Sequence, residues 1–453
     1  MKKIFISSGS VAAMVSCVLL GMSCAGSQRS RPNVVLIIID ALRPDKLGCY
    51  GFDGDTSPEI DRMAAEGILF TDVIAQCSWT RPSIGSMLTS QHPRSIGLFA
   101  EKWDVLQDKY LTMPEALKRK GYTTIGVTAN PNINSAFNFH QGFDDYIDSA
   151  FVPHWMEDTS DDLSASSPLE GLITSDVVFD VVLQKAEACQ KFPAYIQALV
   201  MEVHTPAMMR DEFKESYGES AQSDYLGAIR QVSYDIGRFV ERLLQIPGWE
   251  NTLFVLCSDH GEGLSDHRYV PRSSKHGFVL YESNVRIPLI LYHPKNNEKT
   301  FRDRTINQRV RLLELMPTIL DYLEIPIPKD AVGKSMLGLL DETSQSIDLP
   351  EGFITETYLE DCEKIAVYTE RWKYIENRDE WLNVNPRELQ PMGVTENGRL
   401  TDQIKYSKTM GQELRSYLRT WERQHKRGER LSLPVEKLGD KEIRQLKSMG
   451  YIR

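Results

Sequence analysis

The sequence predicts an α/β fold: a large, mixed but mainly parallel sheet sandwiched by helices, followed by a smaller C-terminal α+β subdomain with an antiparallel sheet. Three observations predict it. The apolar runs NVVLIIID, YIQALVMEVH and LFVLCSDHGE are continuous rather than alternating, as strands covered on both faces are. Between them lie segments with helical spacing of apolar residues. After about Pro294 the character changes: the helix-like VRLLELMPTILDYL gives way to loop-rich sequence. FITETY and KIAVYTERWKYIE follow, and their Tyr, Ile and Val content suits an antiparallel hairpin.

In chain order, Lys2 and Lys3 precede an apolar stretch from Ile4 to Met22 that lacks the uninterrupted length of a spanning helix, so residues 1–25 read as an export signal. LLGMSC resembles a bacterial lipobox, with Gly21 in place of its leucine. Membrane anchoring through a lipidated Cys24 and ordinary cleavage after Ala25 are the two outcomes. The first strand ends at Asp40, and Arg43 with Asp45 is suited to hold the loop after it. Thr56 to Gly67 is a helix, with Ser57 as its cap, Pro58 at its first position and Gly67 at its stop. SWTRPS, Ser78 to Ser83, opens another helix at Pro82. Glu115 to Lys120 ends a further helix, and Gly121 turns the chain into the strand YTTIGVTAN, which delivers Asn130. A polar loop spans Asp158 to Ser167. The second run ends at His204, the helix Tyr225–Leu244 follows, and the third run ends at Asp259 and His260. Residues 31–300 form the expected catalytic domain and 301–453 the smaller subdomain, whose last stretch, DKEIRQLKSMGYIR, is a candidate docking helix.

Ligand crevices in parallel sheets lie beyond the carboxyl ends of the strands, so Asp40, His204, Asp259 and His260 should converge there. Carboxylates and imidazoles gathered at one edge point to a divalent metal. Glu202 stands two residues before His204 and, if both are on one strand, on the same face. With His276 these two would form a His2Glu set, a known catalytic zinc arrangement, so a second ion is a candidate.

The net charge of −11, from 52 Lys+Arg and 63 Asp+Glu, argues against a nucleic-acid partner, which calls for basic patches. An acidic protein that handles an anion concentrates positive charge locally, and a metal ion does so. Apart from Cys17 and Cys24 in the signal, Cys49, Cys77, Cys189, Cys257 and Cys362 are scattered and odd in number, which is no disulfide framework.

PNVVLIIIDALRPDKLGCYG, SPEIDRMAAEGILF, SWTRPSIGSMLTSQHPRSIG, NTLFVLCSDHGEG, HGFVLYESNVRIPLIL and ERWKYIEN run in order from residue 32 to about 376. Together they resemble the sulfatase family of the alkaline-phosphatase-like superfamily. The resemblance implies a mixed sheet between helices and a small four-stranded C-terminal sheet. It puts Asp40, Asp259 and His260 on metal-ligand positions and Thr80 on the position of the covalent nucleophile. His204 and His276 fall where groups contact the anionic head of the substrate or, in two-metal relatives, a second metal, and Asn130 falls on a neighbouring substrate-side position; on charge alone Arg81 and Lys275 are further substrate-binding candidates. The plainer alternative for Thr80 is a helix cap.

Two departures from the family pattern matter. Typical members carry CxPSR, whose cysteine or serine becomes formylglycine; here Thr80 stands two residues before Pro82, Ile84 replaces the arginine, and Cys77 lies three residues too early. Formylglycine cannot be made from threonine. A formylglycine hydrate expels sulfate by internal elimination, whereas a threonine ester must be displaced by water or another acceptor, a step well supported for phosphorus. Ala41 stands where single-calcium members have another aspartate, and the remaining donors suit manganese or zinc better than calcium, with magnesium a further candidate and one or two ions expected. The expected activity is metal-dependent hydrolysis of an anionic sulfate, phosphate or phosphonate ester outside the cytoplasm, with phosphodiester-type substrates favoured. Alternatives are a transferase moving a phospho-headgroup onto a lipid or glycan, and a degenerate glycan-binding relative.

Overall fold

A computed structural model of the chain describes residues 31–447, apart from 100–102, 150–172, 215–216, 218–219, 265, 268–271, 296–301, 341–345, 379–384, 393–406, 434–437, 440–442 and 445. The export signal with Cys24, the 158–167 loop and most of the expected terminal helix lie outside the described residues.

The first run forms β1 (Asn33–Ile39), all seven residues of which are buried, so both of its faces are covered. It lies inside a sheet that has nine strands among the described residues. The strand order is β4 (Asp145–Ile147), β3 (Thr123–Thr128), β5 (Ala194–Val200), β1, β6 (Thr252–Cys257), β7 (Arg286–Tyr292), β2 (Ile68–Ile74) and β8 (Arg304–Ile306), with β9 (Val310–Arg311) also on β2. β4, β3, β5, β1 and β6 pair in parallel. β7 is antiparallel to both β6 and β2, so β2 again runs with β1. This is the mixed, mainly parallel sheet the sequence predicts.

Helices Pro58–Glu66, Ser175–Ala188 and Ala221–Gln245 pack together as one group, and Thr80–Thr89, Met113–Lys118 and Leu315–Tyr322 as another. Several sequence signals explain their bounds. Pro58 sits in the first turn after Ser57, and Gly67 stops that helix as expected. Thr112 and Glu115 form a reciprocal capping box at Met113.

Two elements differ from expectation. The strand expected to run to His204 stops at Val200, and Met201–His204 closes a turn in which the His204 amide donates to the Met201 carbonyl at 3.0 Å. Apolar content alone could not mark this end, because Met201 and Val203 are buried in the turn as deeply as in a strand. The expected helix over 310–323 is split into β9, a 3₁₀ turn at Leu312–Glu314 and the helix Leu315–Tyr322. Val310 and Arg311 complete the ladder on Val73 and Ile74, and Glu314 folds back onto the Arg311 amide at 2.7 Å.

Residues 304–322, assigned from sequence to the smaller subdomain, therefore belong to the large layer. The second sheet comprises β10 (Phe353–Leu359), β11 (Cys362–Tyr368), β12 (Trp372–Asn377) and β13 (Arg387–Pro391), antiparallel throughout. The helix Lys408–Gln424 lays Leu414, Leu418 and Trp421 on its Ile354, Ile365, Val367, Tyr374 and Leu389. Gln76 ties the two sheets together: its backbone carbonyl accepts from Glu356 at 3.0 Å and its side-chain oxygen accepts from the Leu313 amide at 3.1 Å.

Ile37 is fully buried at the middle of β1, between β5 and β6. Ile37→Ala should cost about 2–5 kcal/mol, the range for deleting a large aliphatic side chain from a rigid core, read as a lower urea midpoint at unchanged slope.

Candidate active site

Parallel pairing levels the ends of four neighbouring strands, because Ile39 lies opposite Val200 and Ile38 opposite Cys257, with β3 in register beyond β5. Asp40, Asn130, His204, Asp259 and His260 therefore leave the sheet along one edge. β2 points the same way, and the loop after it delivers Thr80. Asp40, Thr80, Asn130, Asp259 and His260 are all fully buried.

Ser258 stitches the ends of β1 and β6, its hydroxyl accepting from the Leu42 amide at 3.0 Å and lying 2.7 Å from the Ile39 carbonyl. Ala41 takes up a left-handed backbone, φ 60°, a conformation that costs an alanine ~1 kcal/mol. Its amide faces Asp259 Oδ1 at 3.3 Å, and its carbonyl accepts from the Tyr225 hydroxyl at 2.7 Å. Arg43 holds the following loop through Asp45 at 2.8 Å and Asp266 at 2.6 Å.

The ligand group is defined by lone pairs that face one another. His260 Nδ1 lies 2.9 Å from the Gly261 carbonyl oxygen, which can only accept, so this contact assigns the proton to Nδ1 and leaves Nε2 as the lone-pair nitrogen. Nε2 is 3.4 Å from Asp40 Oδ1, 3.4 Å from Asp259 Oδ2 and 3.3 Å from Thr80 Oγ1. Both carboxylate oxygens are buried without a hydrogen-bond partner. Burial, then the charge on Asp259, pushes Asp40 well above the usual carboxylate range, and burial holds His260 below the usual histidine range. One donor atom from each of Asp40, Asp259 and His260 lies within 4.8 Å of the others, a grouping found at no other place among the described residues. Two orphaned carboxylate oxygens and a neutral imidazole nitrogen aimed at one point fit a divalent cation.

Thr80 is the first residue of the helix Thr80–Thr89, two residues earlier than Pro82 suggested. Trp79 is the N-cap residue, and no side chain caps the helix, so the capping alternative does not describe Thr80. Its hydroxyl instead lies 3.4 Å from Asp40 Oδ2 and 3.2 Å from Asn130 Nδ2, and Asn130 also donates to Asp40. Asn130 is fixed in turn by the Asn132 amide, which donates to its Oδ1 at 2.8 Å.

Family comparison matches residues 32–325 to Sulfatase, roughly two-thirds of the chain. The chain belongs to the sulfatase family. A Clostridium perfringens arylsulfatase is 23% identical over 393 residues, spanning 70% of this chain and 80% of that protein. An N-acetylgalactosamine-6-O-sulfatase of Bacteroides thetaiotaomicron is 22% identical over 440 residues, 78% of this chain and 84% of its own length. Among solved structures, the phosphonate monoester hydrolase of Agrobacterium radiobacter superposes with a TM-score of 0.69 at 17% identity, covering 87% of this chain and 96% of that one.

Within this sulfatase-family site, the remaining candidates fall into two sets. His204 and His276 come together with ring centroids 4.6 Å apart, and His276 lies 4.7 Å from His260. Burial, then the charge of His276, holds His204 well below the usual histidine range. Arg81 is buried, donating from Nε to the Asn132 carbonyl at 2.8 Å, with its guanidinium 3.5 Å above the Phe137 ring. Lys275 is exposed.

Glu202 lies outside the metal-ligand group. Its Oε1 accepts from the Ser175 amide at the start of a helix, and burial, then Asp235, pushes it up to about 7. The same-face argument fails because Glu202 and His204 are on a turn, so the His2Glu set is not assembled.

Sequence reasoning missed Glu262. Fully buried, it holds His276 Nδ1 at 3.1 Å. Burial opposes its ionisation, yet the charge and hydrogen bond of His276 outweigh this and bring it down to about 2. The one signal in DHGEG is position, since Glu262 follows His260 by two residues; its burial and its bond to His276 come only with the fold. Gly263 beside it leaves no room for a side chain, since an added Cβ would lie 1.7 Å from the Ser273 carbonyl oxygen of the segment leading to His276. The second sheet braces the same segment. Thr357 Oγ1 donates to the Gly277 carbonyl at 2.8 Å, while the Gly277 amide donates to the Ser78 carbonyl at 2.7 Å.

Metal analysis after dialysis should separate the two carboxylates. Asp259→Asn should lower retention of a bound divalent ion at least about tenfold, while Glu202→Gln retains the wild-type stoichiometry.

Proposed function

We propose that this sulfatase-family hydrolase acts outside the cytoplasm on esters of phosphorus, of the phosphodiester or phosphonate monoester class, through Thr80 as covalent nucleophile. The observation that carries the reading is the Thr80 hydroxyl, buried at a helix start within 3.4 Å of Asp40 and 3.3 Å of His260 Nε2. Fold similarity to a phosphonate monoester hydrolase is compatible with it, as is the relation to sulfatases named for sulfated sugars, which extends the candidate substrates to anionic glycans. The apolar segment after Lys2 and Lys3 supports export, and Cys24 supports an anchor at the membrane.

Asp40, Asp259 and His260 would hold the divalent ion, for which manganese or zinc suits this oxygen–nitrogen set. Bound there, it supplies Lewis acidity that lowers the pKa of the Thr80 hydroxyl and offsets charge on the transferring group. Thr80 Oγ1, once deprotonated, bonds to phosphorus as the bond from phosphorus to the leaving oxygen breaks. His276, held at Nδ1 by the Glu262 carboxylate, gives a proton to that oxygen. Neutral His204 and Asn130 donate to nonbridging oxygens, and the amides of the first turn of the Thr80–Thr89 helix face the anion. Water then attacks phosphorus and the bond to Thr80 breaks; His276 takes a proton from that water, and Thr80 takes back from solvent the proton it released there in the first step. Because burial keeps His204 neutral, its donor role persists through neutral pH.

Thr80→Ala should lower kcat toward bis-p-nitrophenyl phosphate by about four orders of magnitude or more, and acid quenching of the wild type should trap Thr80 esterified with p-nitrophenyl phosphate by mass spectrometry. Turnover of p-nitrophenyl sulfate that survives in Thr80→Ala would overturn the assignment.

A further inference from the structure

His204 leaves β5 on a turn, and the residues on either side of it are tied to two helices. Before it, Glu202 accepts from the backbone amide of Ser175, the first residue of the helix Ser175–Ala188, and its own carbonyl accepts from the Met208 amide at 2.8 Å, which closes the turn. After it, Arg210 grips Asp235 with both terminal nitrogens, at 3.1 and 2.9 Å, and Asp176 at 3.2 Å. The Arg210 amide donates to Gln231 Oε1 at 2.6 Å, and the Ser175 hydroxyl donates to Asp235 at 2.7 Å, so both anchors end on the same carboxylate. Asp235 and Gln231 belong to the helix Ala221–Gln245 and are buried. Between the anchors, Thr205 and Pro206 are exposed while His204 is 3% exposed.

We propose that Arg210 and Glu202 are positioning residues for His204, a two-ended clamp that holds the His204 turn over the phosphoryl group. The inference rests on the substrate-contact role given to His204 above. Met201, Val203 and Met208 seat the turn in the core while its Thr205–Pro206 tip is exposed, so the ties of Glu202 and Arg210 on either side set where the imidazole stands, and catalytic contacts demand placement to a fraction of an ångström. A bidentate guanidinium–carboxylate pair supplies direction as well as charge. Arg210 touches no member of the metal-ligand group, so its effect on turnover passes through the turn.

A double-mutant cycle between Arg210 and His204 tests this, with kcat/KM for bis-p-nitrophenyl phosphate measured well below each variant's unfolding temperature. Arg210→Ala should lower kcat/KM about tenfold or more, Arg210→Lys less, and the Arg210→Ala/His204→Ala pair should be no slower than His204→Ala alone. Full multiplication of the two single effects would overturn the clamp while leaving the role of His204 intact. Should His204→Ala itself turn over the diester at the wild-type rate, the role of His204 falls and the clamp with it. If Arg210→Ala yields no soluble enzyme, Arg210→Lys carries the same cycle with the same two readings.

Discussion

The site is organised around an electrostatic conflict: two carboxylates and the lone pair of a neutral imidazole face one another, and two of the oxygens have no donor from the protein. Burying a carboxylate without a partner costs several kcal/mol, and here two are buried with mutual repulsion added. Only a cation at the meeting point turns this arrangement from a cost into a gain. The surrounding features serve to keep the lone pairs aimed. Gly261 fixes the His260 tautomer, Ser258 stitches the two strand ends, and Ala41 accepts a left-handed backbone so that its amide and carbonyl hold Asp259 and Tyr225.

Much of this was legible in the sequence because a parallel sheet converts one-dimensional information into a place. A continuous apolar run that stops on Asp40 or on Asp259 and His260 states both the strand and its end, and parallel register makes those ends neighbours. Where apolar residues continued past the strand, the inference failed. Met201 and Val203 are buried in a turn, so the run overshot Val200, and the derived pairing of Glu202 with His204 was lost with it. Periodicity likewise could not distinguish a helix from the short β9 at Val310, whose place was set by the free edge of β2 in a distant part of the chain. Glu262 was missed for a different reason. Its meaning comes from His276, fourteen residues away, and only the folded chain puts the two side chains at hydrogen-bond distance.

The two sheets are mechanically one device around the substrate-contact groups. Gln76 joins β2 to the second sheet, and Thr357 reaches from β10 to Gly277, which itself pairs with Ser78. The nucleophile loop and the His276 segment are therefore hydrogen-bonded to each other and to the C-terminal sheet. The turn that carries His204 is tied to helices of the large layer. The two histidines that meet at 4.6 Å are thus delivered by separate parts of the fold.

The two departures from the family pattern bear on one another through charge. A threonine hydroxyl is a weaker acid than the hydrate of an aldehyde, so a site that uses it needs stronger polarisation of that oxygen. Each anionic ligand donates charge to a bound cation and weakens its Lewis acidity. With Ala41 in place of an aspartate, two carboxylates face the cation instead of three, and the third nearby carboxylate, Glu262, is turned away onto His276. Two carboxylates balance a divalent ion to zero, whereas three would leave the pocket net negative and opposed to an incoming anion. On the mechanism proposed for Thr80, an alanine at this position favours both ionisation of the threonine and approach of the ester, which makes Ala41 and Thr80 chemically coherent as a pair.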